Sequence, residues 1–174
     1  GASIAAGGTL QIDGRVAGDA YSEGAGTIAG SGTINGSLYN NGAVEAGSWG
    51  AVFDEETNKP MQLSVGGDFT GDGVIAVNTD GTNYAQIAVT GKADVSGMSL
   101  KAGTFAAPDL RGTILTVDET TGILQGAEKL NGAFSGMLNG NVTQNDNELK
   151  LTTSVSNNAG INGARFNAFN GLYN

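Results

Sequence analysis

The sequence predicts an all-β fold, a parallel β-solenoid built from very short strands. Three observations lead there. The first is a phrase spoken twice: Gly26–Gly36 reads GTIAGSGTING, with Ile28 and Ile34 each preceded by Gly-Thr and followed two residues later by glycine. Leu38 and Val44 extend the beat, and self-similarity at short period marks stacked-repeat architectures. The second is composition. Glycine supplies 30 of 174 residues and asparagine 17, against a usual ~7% for glycine. Both tolerate positive φ, so the chain is rich in tight turns. With 2 prolines and no G-X-Y period, a collagen helix is excluded. The third is the isolation of the apolar residues, which leaves each strand one or two inward side chains. A single tier of that kind cannot bury enough surface to stand alone. Parallel strands stacked ~4.8 Å apart can, because like residues then lie above like.

Charge and residue usage narrow the classes. The net charge is −9 and only 14% of residues are charged. No basic stripe exists, so nucleic-acid binding lacks its electrostatic footprint, and an anionic membrane surface would repel the chain. The regular aliphatic beat argues against disorder. There is no cysteine and no histidine. That removes disulfides, Ser-His-Asp and Cys-His catalysis, and His-based zinc sites. No apolar run reaches transmembrane length, so the chain is not expected to be membrane-embedded. No signal peptide is visible, and the first residues already carry the repeat texture, as expected for a piece of a longer protein.

Taken in order, residues 1–47 read as thin tiers. Leu10-Gln11-Ile12 alternates, Asp13-Gly14 turns, and Val16 resumes before the doubled phrase. Residues 48–60, SWGAVFDEETNKP, break the texture and read as a loop inserted between tiers. Trp49, Phe53, Asp54, Glu55 and Glu56 make it a candidate interaction loop; a solvated insertion with its aromatics folded back on the edge is the favoured reading. Residues 61–156 carry longer strands and bulkier side chains, with strands expected at Thr113–Val117, Phe134–Leu138 and Glu148–Thr153. The expected folding core is Ile28, Ile34, Leu38, Val44, Leu63, Val65, Phe69, Ile75, Val77, Ile87, Val89 and Val95. In residues 157–174, Ile161, Ala164, Ala168 and Leu172 fall at helical spacing. Gly160, Gly163 and Gly171 weaken that pattern, leaving a short helix or an extended linker.

Three phrases in this order resemble the C-terminal passenger region of Gram-negative bacterial autotransporters. They are GAGTIAGSGTINGSLYNNGAVEAG at Gly24–Gly47, LSVGGDFTGDGVIAV at Leu63–Val77, and YAQIAVTGKADVSG at Tyr84–Gly97. The similarity is good over about residues 24–100 and loose beyond. The resemblance implies a right-handed parallel β-helix with a C-terminal β-rich cap. It implies a stem followed by an autochaperone segment that folds first as the chain emerges from the outer membrane. It also implies a surface-displayed or secreted protein of type V secretion, such as an adhesin or other virulence-associated protein. The partners would be the chain's own upstream passenger and a downstream β-barrel, with self-association or a host-surface ligand as further partners. The long loop 48–60 departs from the family pattern, and Asn157-Asn158 lacks the flanks of the tether self-cleavage seen in some members.

Chemistry within the chain is sparse, and no catalytic residue, cofactor or metal site is expected. Carboxylate pairs are candidates because parallel β-helices include polysaccharide-degrading enzymes. Asp68 with Asp72, and Asp54 with Glu55 and Glu56, are the two groups; turn chemistry and a solvated loop are the plainer readings. GGDFTGDG misses the register of calcium-binding nonapeptides and the ligand spacing of an EF-hand. Asn35, Asn40 and Asn41 fall at turns, where their amides can bond backbone between tiers. Trp49 is the lone tryptophan, and Tyr21, Tyr39, Tyr84 and Tyr173 are scattered along the chain. A carbohydrate-binding or polysaccharide-degrading β-helix module is the alternative function, and self-association a third.

Overall fold

The computed structural model describes residues 1–4, 7–48, 51–103, 107–130, 132–135 and 138–155. Trp49 and the linker 157–174 lie outside them. Among the described residues the regular elements are all strands, apart from one 3-10 turn at Ala127–Leu130. They form a nine-stranded sheet, an eight-stranded sheet and one two-stranded hairpin. Every ladder of the nine-stranded sheet is parallel.

The register stacks like residues in three columns. Ala2, Ala20, Leu38, Phe69, Ala93 and Leu124 form the first. Leu10, Ile28, Val44, Ile75 and Leu100 form the second. Val16, Ile34, Val65, Val89 and Val117 form the third. The chain visits the columns in that order and then begins a new tier. The first return takes 18 residues, from Ala2 to Ala20, and so does the second, from Ala20 to Leu38. The beat of isolated apolar residues arises here: in the second tier Ala20, Ile28 and Ile34 each fill one column. The twelve expected core residues are all buried, from Ile28, Ile34, Leu38 and Val44 through Val95.

The third return is longer, 31 residues from Leu38 to Phe69 and from Ile34 to Val65. The excess of 13 matches the length of the segment 48–60. Within that segment Phe53–Asp54 and Lys59–Pro60 form a small antiparallel hairpin, turning through Asn58 at φ 57°. Val52 at its base is buried and Phe53 packs partly on the core. The tiers before and after it therefore stay in register.

Bulk is added at particular points of the stack. In the first column Ala20 gives way to Leu38 and Phe69, and then to Ala93 and Leu124. In the third, Ser64 donates its N–H to Gly32 O, which sets Gly32 beside Leu63. Leu63 then stacks on Ile87 and Leu115. Each added Leu, Ile or Phe contributes about 1.5–3 kcal/mol by burial.

The eight-stranded sheet ends on an antiparallel element. Arg111–Val117 pairs parallel with Gln86–Val89 on one edge and antiparallel with Glu148–Val155 on the other. Glu148–Val155 in turn pairs with Leu138–Asn145, and that strand with Gly132–Ser135. Leu149 and Leu151 are fully buried, and Val142, Ala127 and Leu130 cover the base of the core. The strand expected at Phe134–Leu138 is two strands instead. Its run is broken because Leu138 belongs to the long hairpin, paired with Val155.

Candidate functional site

Polar groups inside the stack are spent on the stack. Ser22 and Asn40 occupy successive tiers and are fully buried. The Ser22 hydroxyl donates to Asn40 Oδ1 at 2.8 Å and accepts the Gly42 N–H at 3.3 Å. Asn40 Nδ2 donates to Val74 O at 3.0 Å. A buried polar group without such partners costs about 1–3 kcal/mol, so Asn40 joins three tiers. Asn35 Oδ1 accepts from Arg15 at 2.7 Å, and Asn41 Oδ1 accepts the Asp72 N–H at 3.2 Å.

The candidate carboxylates meet the same fate. At one corner, residues preceding the first column form a ladder. Asp19 Oδ1 accepts the Ser37 N–H at 2.8 Å, Ser37 Oγ accepts the Asp68 N–H at 2.9 Å, and Asp68 Oδ1 accepts the Lys92 N–H at 2.8 Å. Each side chain thus caps the backbone of the next tier. Glycines stand immediately before these residues at 18, 36, 67 and 91. A Cβ on Gly36 would collide with Asp19 Oδ1 and lie 2.8 Å from the Gly18 carbonyl. The Gly-Asp and Gly-Ser pairs of the sequence are therefore one structural device, and Asp68 serves it. Asp72 meets Asn41 through its own N–H.

In the inserted hairpin, Asp54 Oδ1 accepts the Glu56 N–H at 2.9 Å. Glu55 and Glu56 are exposed. The structure brings Phe53 to the core and leaves the acids at the tip. Asp94 and Asp118 cap turns at the other end. The Ser96 hydroxyl, helped by the Ser96 N–H, holds the Asp94 carboxyl below its ordinary value. The Thr120 hydroxyl, with the N–H groups of Thr120 and Thr121, holds Asp118 down to about 2. An open cleft of about 450 Å³ lies beside Asp118, bounded by Glu119, Leu124, Asp146 and Asn147. Among the described residues no cluster of three or more Asp or Glu is placed to hold a metal.

Aromatic placement was not legible in the sequence. Tyr84 is buried, its hydroxyl donating to Leu110 O at 3.2 Å, and burial raises its pKa. Tyr21 and Tyr39, one tier apart, stack on the outer face with centroids 4.9 Å apart and planes 15° from parallel. The 18-residue return brings them together; no local motif does.

Comparison with protein-family models, with curated proteins and with solved structures returned no match.

Proposed function

We propose that this chain is a structural and folding module, the β-helical stem and autochaperone segment of an exported autotransporter passenger. In this reading the parallel tiers wind as a right-handed β-helix, and the protein is displayed at the cell surface or secreted. The gradient along the stack carries the proposal: thin tiers lean on thick ones, and the thick end closes with an antiparallel hairpin. In a stacked array each tier contacts only its neighbours, so one stable end can nucleate the rest. An open parallel edge invites mispairing, and a hairpin turned antiparallel at that edge blocks further stacking.

Other features support the same reading. At the thin end, Ala2–Ile4, Thr9–Gln11 and Arg15–Val16 pair on one side alone among the described residues. The column members there, Leu10 and Val16, are half-buried. An upstream passenger tier would cover them, and a β-barrel would follow the linker 157–174. The carboxylates found serve turns and tiers, which favours a scaffold over a polysaccharide-degrading enzyme.

The test is deletion of residues 61–156 from the longer passenger, followed by display in a Gram-negative host. The passenger should become protease-sensitive or fail to appear at the surface. Normal display of a protease-resistant passenger would sink the proposal.

A further inference from the structure

Tyr21 and Tyr39 form an exposed aromatic ledge with an acidic rim. Tyr21 is 37% exposed. Its neighbour on the preceding tier is Ser3, which is too short to cover an aromatic ring. One face of the Tyr21 ring therefore remains open while Tyr39 backs the other. Glu23 lies two residues from Tyr21 on the strand Ala20–Gly30, on the same face by alternation, and Asp19 immediately precedes that strand. Glu23 is exposed, and Asp19 commits Oδ1 to the Ser37 N–H. Among the described residues the one ion pair is Lys150 with Glu148, so neither acid has a cationic partner. The chain as a whole carries −9.

We propose that this ledge docks an arginine side chain from a basic segment of a partner protein. A guanidinium is planar and stacks on an aromatic face, while its N–H fork bonds carboxylates. The quadrupole of a tyrosine attracts a cation over its face. Here the flat face and the Glu23 carboxylate sit within one strand, on a rigid ladder, so little ordering cost attends binding. A lysine ammonium would satisfy the charge and forgo the stacking. A neutral sugar ring would use the face and leave the acids without a counter-charge.

The experiment is titration of the 174-residue chain with a hexa-arginine peptide, followed by NMR of the tyrosine ring protons. A hexa-lysine peptide and a neutral cello-oligosaccharide serve as comparisons. Hexa-arginine should shift the Tyr21 and Tyr39 signals and bind several-fold more tightly than hexa-lysine. Tyr21→Leu, which keeps apolar bulk and loses the π-face, should weaken hexa-arginine binding by about fivefold to tenfold. Glu23→Gln, at an exposed site, should weaken it by about twofold to threefold. Equal binding of the two peptides, unaltered by Tyr21→Leu, would reduce the effect to net charge and overturn the proposal. Shifts with the oligosaccharide but not with hexa-arginine, or no shift with any probe, would overturn it as well.

Discussion

The first tiers and the later ones share columns but not bulk. Residues 1–47 put Ala20 and Leu38 in the column where the later region puts Phe69, and Gly32 where it puts Leu63. The early strands along the third column are two residues each, Arg15–Val16 and Thr33–Ile34. The later ones are Gln62–Val65, Gln86–Val89 and Arg111–Val117. Both regions satisfy their backbone in the same way, by hydrogen bonds between tiers. What differs along the third column is the apolar surface removed from water, so that side of the stack is graded in buried bulk along the chain. A graded stack can be long and still have one end that folds first.

The largest test of that comparison is truncation of column residues at the two ends. Phe69→Ala should cost about 3–5 kcal/mol, because it empties the widest point of the first column. Leu10→Ala, on the half-buried first tier, should cost about 1–2 kcal/mol. Urea unfolding of each variant measures the difference, and equal losses would break the contrast between thin and thick tiers. A smaller effect is expected at the corner the two regions share. Gly36→Ala should destabilise by about 1–3 kcal/mol, since its Cβ must displace Asp19 and crowd Gly18. Gly14→Ala meets open space, so it should be neutral or slightly stabilising in the same assay. The smallest effect concerns the turn caps of the thick end. Asp118 titrates at about 2 in the folded chain, below its ordinary 3.8. A depressed carboxyl stabilises above its unfolded value and loses that contribution as pH falls through the folded one. The melting-temperature gap between wild type and Asp118→Asn should therefore be present above about pH 4 and close as pH falls toward about 2. A gap that persists at the lowest pH would mean the cap acts through something other than its charge.

Much of the inward-facing set was readable from the residues. Ile28, Ile34, Leu38 and Val44 are spaced by the beat, and the beat is the spacing of the columns. The break at 48–60 was also readable, because its composition departs from the tiers on both sides. The strand Leu138–Asn145 was harder to see. It reads LNGNVTQN, with Val142 its one buried large apolar residue, and its asparagines look like turns. Only pairing with Glu148–Val155 explains it. The corner ladder is written locally only as Gly-Asp, Gly-Ser and Gly-Lys pairs, which look like any other turn, and stacking alone lines them up.

The strand-and-turn texture, the spacing of the inward apolar residues and the chemistry excluded by absent residue types can all be read from the residues. These follow from local rules: alternation across a strand, positive φ at turns, and the need to bury isolated aliphatics. Tertiary structure alone decided which distant residues became neighbours. It joined Tyr21 to Tyr39, tied Asp19, Ser37 and Asp68 into one ladder, and turned the final strands antiparallel. The physical reason is register. Where the chain returns is set by packing between whole tiers and by the loops that each return absorbs, and no window of sequence contains that sum.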